Sequence, residues 1–382
     1  MFTILLAAAT LTGWIGTYTT SNGTSTGSLG IYAFQWNDTQ GTVSAVHPVA
    51  ATTNPSFLAL HPSGRFLYAV NEDESASGTD HLTAYAVDGA NSSERLRAIG
   101  TVSSQGLAPC HLTIDPSGHW LFVANYGSGT IAVYPIRPDG RLAEASQVIQ
   151  QKGSGPFLDR QKSAHAHEVV LSPDGRFLLS ADLGADRIFV YRFEGTTGTL
   201  TPNSEPGVAL PAGYGPRHLV FSNDGRTIYV LTELTPAVVT LRWNAQRGSM
   251  TQLGITSTLP TAGPAEPGAA EIVLHPNGKF LYASNRGHSN SIAIFHVDAK
   301  GLLTPTGHAS SNGQQPRFFS IDPSGKFLIA ANQGSGNLVT FAIDPSSGGL
   351  TRVGADVPVP APVSLVFAHA GALTGAAVSP NR

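Results

Sequence analysis

The chain has one cysteine, few charges and no long apolar run. Cys110 alone among 382 residues excludes an intramolecular disulfide framework and offers no paired thiolates for a structural zinc. Stability must therefore rest on burial. Charged residues make up 12% of the sequence, the formal net charge is −3, and no basic block occurs anywhere. Such a chain has no electrostatic footprint for a phosphate backbone or an anionic membrane, so neither nucleic acid nor membrane is an expected partner. No apolar stretch approaches the roughly 18–20 residues that span a bilayer. Residues 2–9, FTILLAAA, are apolar but follow no Lys or Arg and run into the strand-like WIGTYT. Residues 1–12 therefore read as a first strand or a signal remnant. A cytoplasmic location is expected, with export as the alternative. The sequons at Asn22, Asn37 and Asn91 are acceptor patterns common by chance in a Thr/Ser-rich chain.

What the sequence does have is glycine (42), proline (26) and many β-branched residues, a composition of strands and tight turns. A unit of apolar strand, Pro-X-Gly turn or a variant of it, and second apolar strand recurs six times. The copies are FLALHPSGRFLYAVNE, HLTIDPSGHWLFVANY, EVVLSPDGRFLLSADL, HLVFSNDGRTIYVLTE, EIVLHPNGKFLYASNR and FFSIDPSGKFLIAANQ. The turn glycines Gly64, Gly118, Gly175, Gly225, Gly278 and Gly325 recur every 47 to 57 residues, the size of a four-stranded propeller blade. Further strands follow each hairpin, as in GTIAVYPI, DRIFVYRF and NSIAIFHV. The C-terminal APVSLVFA resembles a first strand, and the N-terminal WIGTYT and GIYAFQW resemble later ones. Combining both termini in a seventh blade leaves no exposed sheet edge. The expected fold is an all-β, seven-bladed propeller over residues 13–375, with a tail at 376–382. An open solenoid or a pair of β-sandwiches would not need so regular a period.

Aligning the copies on the turn glycine exposes a ring of polar positions. Eight residues before it stand Ser56, Cys110, His167, Arg217, Ala270 and Arg317. Seven before it stand Phe57, His111, Glu168, His218, Glu271 and Phe318. Eight after it stand Glu72, Tyr126, Leu183, Glu233, Arg286 and Gln333. These positions meet on one rim because the strands are antiparallel. A fourth column, seven after the glycine, is almost uniformly Asn or Asp and reads as structural, because short polar side chains bond local backbone where a strand ends. Packing alone gives no reason for His, Arg and Glu at equivalent places, so the variable columns read as a site.

His165 and His167, two apart in HAH, would face the same side of an extended strand. They could ligate a metal, although no fixed-spacing third ligand is evident. They could also be structural, or act in catalysis or binding. Arg217, Arg317 and Arg286 are fork-shaped permanent cations suited to a carboxylate, a phosphate or an oxyanion. Glu233 is an acid or base, or orients an arginine. Cys110 beside His111 raises a Cys/His nucleophilic pair, weakened because strand neighbours point to opposite faces.

Through GTYT, NPSFLALHPSGRFLYAVNE, GSGP, RQ followed by HAH, GPRHLVF, SNRG and QPRFFSIDPSGKFLIAANQ, the sequence resembles the lactonase family of seven-bladed propellers. That family includes propeller-type 6-phosphogluconolactonases and fungal carboxy-muconate lactonizing enzymes. The resemblance runs from residue 14 to about residue 367. It implies opening or closing of a lactone on a small anionic substrate, with no cofactor and no required metal. It also implies a catalytic group of a His of HAH (His167 by the column alignment, with His165 beside it), Arg217, Glu233 and Arg286. His111, His218, Arg317 and Glu271 complete the ring as expected substrate-binding residues. The leading expectation is hydrolysis of a sugar lactone, 6-phosphogluconolactone foremost, by His-activated water with arginines holding the anionic group. A muconate-type cycloisomerase and a noncatalytic binding propeller are the alternatives. A monomer or weak dimer is expected, since a closed ring leaves no edge that demands a partner.

Overall fold

The computed structural model describes residues 10–73, 80–87, 95–260 and 267–368. These form seven four-stranded antiparallel sheets arranged as propeller blades, together with one two-stranded hairpin. Blades 1 to 6 are consecutive along the chain, at residues 58–103, 109–150, 166–209, 216–257, 269–310 and 316–358. In each, the four strands run in sequence order from the innermost outward.

The seventh blade is made by both ends of the chain. Its innermost strand is the C-terminal Pro362–Phe367, paired with Thr10–Thr17, which is followed outward by Gly30–Asn37 and Thr42–Ala51. Thr10–Thr12 therefore belong to the sheet rather than to a segment preceding it. Residues 1–9 and the tail at 376–382 lie outside the described residues, as does the sequon at Asn91.

Burial follows this ring. Each of the seven blade interfaces is filled by its own apolar cluster. The closing interface between blades 6 and 7 packs Ile15, Phe34, Trp36 and Leu365 against Phe327 and Ile329. With a single cysteine and so no disulfide within the chain, the fold is held by these interfaces, at about 25 cal/mol for each Å2 of apolar surface removed from water. Second-strand tyrosines tie some blades together through hydrogen bonds. The Tyr68 hydroxyl donates to the Gly140 carbonyl of the next blade at 2.9 Å, and Tyr282 does the same to Gly348 at 2.8 Å. The Asn column is structural, as expected. Nδ2 of Asn125, Asn285 and Asn332 donates to the carbonyls of Ser104, Thr258 and Ser311, fastening the crossover that enters each blade.

One feature of the innermost strands decides what faces the central channel. In blade 2, Pro109 pairs with Asn125 but His111 pairs with Ala124, so Cys110 is an extra residue. The same one-residue bulge occurs at His167, Arg217, Arg317 and Val363, and in blade 5 the pairing likewise skips Ala270 and Glu271. A bulge sets two residues against one and breaks the alternation of side chains. Proline stands at the first position of four of these strands (Pro109, Pro216, Pro316 and Pro362), a place where a strand tolerates it.

Candidate active site

The bulges place two layers of side chains around the channel. The upper layer opens into a cavity of about 530 Å3, whose wall includes His167, Arg317, Arg286, Glu233, Arg160 and Glu72. Cys110, Tyr18 and Tyr126 complete its polar lining.

Glu233 is the centre of the charge arrangement. Its Oε1 accepts from Arg160 Nη2 at 2.7 Å, and its Oε2 is 3.1 Å from both Arg217 Nε and Arg286 Nη2. Burial alone would raise the Glu233 carboxyl, but the charges of Arg286, Arg217 and Arg160 outweigh it and hold the group at about 2. Glu233 is thus an anion throughout the neutral range. Arg286 Nε also donates to the Gly268 carbonyl at 2.9 Å, and Arg217 Nη1 donates to the Ala270 carbonyl. Both guanidiniums are therefore fixed at two points.

Glu72 forms a second anchor across the cavity. Its Oε2 accepts from the Tyr18 hydroxyl at 2.7 Å and from Ser56 Oγ at 2.5 Å. Arg317 lies over the Tyr18 ring at 5.1 Å and donates to its hydroxyl at 2.8 Å. Four guanidiniums thus stand around two buried carboxylates, with Asp73 at the outer wall. Around Glu233 itself the balance is positive, three guanidiniums to one carboxylate.

His167 sits in this wall, only 5% exposed. Burial and then the charge of Arg217 push its imidazole well below the usual histidine range, so the ring is neutral at neutral pH. Its ring meets Tyr126 at 5.5 Å and His218 at 5.2 Å, both edge-on, and Nδ1 has a weak contact with Cys110 Sγ at 3.9 Å. Burial also pushes the Cys110 thiol up, away from the reactive thiolate, and Sγ lies 3.3 Å from the His167 carbonyl. The Cys110/His111 pair considered from the sequence is thus not assembled as a nucleophile and base.

His165 is placed differently. It precedes the blade 3 strand, its ring stacks on Tyr126 at 4.7 Å, and Nδ1 is 2.8 Å from the Tyr126 carbonyl, so it supports the wall without lining it. His111, His218 and Glu271 form part of a lower layer, beneath the cavity floor. His218 Nδ1 is 3.2 Å from both Glu271 carboxyl oxygens, and His111 Nε2 is 3.6 Å from Glu168 Oε1. Burial drives Glu271 up to about 8 despite Arg217, and raises Glu168 as well. The same burial lowers both histidines. Glu271 and the two histidines are thereby mainly neutral at neutral pH, and Phe57 caps the layer against His111 at 4.1 Å.

Sequence reasoning missed Arg160, Tyr18 and Glu72. Arg160 comes from the single short helix, Leu158–Gln161, outside the repeat. Glu72 stood in an aligned column, and Tyr18 in the GTYT segment. Among the described residues, no three His, Cys, Asp or Glu side chains group as a metal site, and no helix is long and apolar enough to cross a membrane.

Two outcomes follow from this geometry. Arg217 is 3% exposed and doubly bonded. Arg217→Ala should therefore cost about 1.5–3 kcal/mol, the worth of a hydrogen bond to a charged group. A melting temperature equal to wild type would contradict this. Glu271 holds its proton to about pH 8 when folded but loses it near 4.5 when unfolded. The folded state then binds the extra proton, so this group's contribution to stability falls as pH rises from about 4.5 to 8. Chemical denaturation of Glu271→Gln across that window should show the variant gaining on wild type as pH rises, and a constant difference would refute the assignment.

Comparison with known proteins agrees with this architecture. Residues 12–367 match the family model described as lactonase, 7-bladed β-propeller. A 6-phosphogluconolactonase of Bacillus subtilis is 33% identical over 94% of this chain and 98% of its own length. Another 6-phosphogluconolactonase, from Formosa agariphila, is 31% identical over 85% of this chain and 91% of its own. The solved structure of a periplasmic gluconolactonase from Pseudomonas aeruginosa superposes with a TM-score of 0.87 at 36% identity, covering 94% of this chain and 99% of that one. The chain belongs to the lactonase family of seven-bladed β-propellers.

Proposed function

We propose that the protein hydrolyses a sugar lactone bearing an anionic group, with 6-phosphogluconolactone as the leading substrate. The observation that carries this is a neutral imidazole, His167, in the wall of a cavity that presents three arginines, Arg160, Arg286 and Arg317. The names of the B. subtilis and F. agariphila relatives support the substrate, and the P. aeruginosa relative supports the reaction.

In this reading His167 takes a proton from water as the oxygen adds to the lactone carbonyl carbon. The carbonyl electrons move onto oxygen, and the oxyanion is held by guanidiniums facing the cavity, Arg286 first among them. The tetrahedral species collapses by breaking the ring C–O bond, and the departing alkoxide takes the proton back from the imidazolium. Net uptake is one water, and the carboxylic acid formed releases its proton to solvent. No covalent enzyme intermediate is needed and no step calls on a metal. Arg160 and Arg317, on opposite sides of the cavity, are suited to the phosphate or carboxylate of the substrate. Glu233, ionised down to about 2, orients the arginines rather than donating a proton. Arg217 is a positioning residue, because it reaches the cavity only through Glu233. His165 braces Tyr126, and His111, His218 and Glu271 form the floor. The same arginines would suit a muconate-type carboxylated acid, but the full-length relatives named above are lactone hydrolases.

A pH-stat assay with freshly made 6-phosphogluconolactone and EDTA tests this reading. Acceleration over the spontaneous rate is expected, falling by about 10²–10⁴-fold in His167→Gln. Because the His167 imidazole is lowered, kcat/KM should show no loss as pH falls through 6.5 and should decline only well below it. No acceleration, or full turnover in the variant, would overturn the assignment.

A further inference from the structure

The turn joining the second and third strands of a blade lies on the rim of the active cavity. In blades 2, 3, 4 and 6 it spans residues 126–129, 183–186, 233–236 and 333–336, four residues each, and in blade 5 it spans 286–290. The equivalent connection in blade 7 runs from residue 18 to 29 and folds into its own hairpin, Thr20–Ser21 paired with Thr24–Ser25. The reversal is at Asn22 and Gly23, both in the left-handed region (φ 49° and 73°), as a tight two-residue hairpin turn requires. The buried Asn54 fastens the hairpin to the propeller. Its Oδ1 accepts from the Thr19 and Thr20 amides at 2.8 and 3.0 Å, and its Nδ2 donates to the Glu72 carbonyl at 2.9 Å. Against turns of four or five residues in blades 2 to 6, the connection at 18–29 is a long, anchored elaboration that stands beside the site; the connection in blade 1, residues 72–80, is also longer than these turns.

Behind it lies a second cavity of about 390 Å3 that shares Tyr18, Glu72, Asp73 and Arg317 with the first. The shared partition is the Arg317–Tyr18–Glu72 chain of hydrogen bonds. The remaining wall is hydroxyl and amide: Thr20, Ser21, Asn22, Asn54 and Gln333, with Gly23. Its charge differs from that of the first cavity, with two carboxylates against the single guanidinium of Arg317. Such a wall disfavours a second anion and has little to offer an apolar group. It suits a neutral ligand rich in hydroxyl donors, which carboxylates and amide carbonyls accept.

We propose that this cavity is a second subsite, taking a neutral polyhydroxyl substituent, such as a glycosyl unit, attached to the lactone in the first. The proposal deepens the lactonase reading and rests on it for the identity of the first-cavity ligand. The substrate then lies with its anionic group among Arg160, Arg286 and Arg317 and its hydroxyl-rich end beneath the hairpin. Substrates larger than one sugar ring are accommodated across the partition.

The test uses stable products, so its readout does not depend on turnover. Gluconate and maltobionate, the aldonate carrying one glucosyl unit, are titrated into the protein by calorimetry, and hydrolysis of 6-phosphogluconolactone is followed in parallel. Maltobionate should bind about tenfold more tightly, the worth of one or two net hydrogen bonds. Asn22→Gly combined with Gln333→Ala should abolish that advantage while leaving gluconate affinity unchanged. Equal affinities in wild type, or an advantage that survives the double substitution, would overturn the subsite. If the binding pattern holds but 6-phosphogluconolactone is not hydrolysed, the subsite stands and the lactonase reading falls.

Discussion

A single extra residue near the start of the innermost strands governs what this propeller can do. Without it, alternation would send one of each adjacent pair toward the channel and the other into a blade interface. The bulge brings both to the axis, so Cys110 and His111, His167 and Glu168, and Arg217 and His218 serve the channel together. The upper member of each pair belongs to the cavity region and the lower to its floor. A narrow channel thereby acquires two storeys of polar side chains while the apolar blade interfaces remain intact.

The two storeys solve opposite electrostatic problems. Below, carboxyls and imidazoles too deep to be hydrated shift toward their neutral forms, Glu271 and Glu168 by rising and His111 and His218 by falling. Above, Glu233 keeps its charge because three arginines pair with it, and Glu72 takes hydrogen bonds from Tyr18 and Ser56. Around Glu233 the pairing is unequal in sign, three guanidiniums to one carboxylate. In the proposed mechanism the neutral His167 among those cations is the base, and the substrate's anionic group pairs with the guanidiniums.

The fold was legible because it is written as a repeat, with a turn glycine in every copy and both ends of the chain supplying the missing strands of one blade. The column alignment also led to His167, Arg286, Arg317 and Glu233, since equivalent positions in a ring converge wherever the ring closes. Depth was not legible. His111, His218 and Glu271 are one residue from the cavity layer in sequence, and only the bulge assigns them to the floor. For the same reason the opposite-face argument against Cys110 and His111 rested on an alternation that does not hold there, although the thiol proves unreactive on other grounds. His165 fell outside the strand that the HAH spacing argument assumed. Arg160 had no column to stand in, because it enters from a loop the repeat does not contain. The Thr/Ser/Asn/Gly run at 18–29 was visible as composition, but its contact with the site depends on Asn54, far away in sequence.

The central claim is that the unmatched positive charge around Glu233 selects an anionic lactone. The most direct measurement is the ratio of kcat/KM for 6-phosphogluconolactone to that for unphosphorylated glucono-δ-lactone, taken with one preparation at fixed ionic strength. The account predicts a preference of at least about tenfold for the phosphorylated lactone, on the order of one charge-assisted contact. Equal values, or a preference for the uncharged lactone, would contradict it.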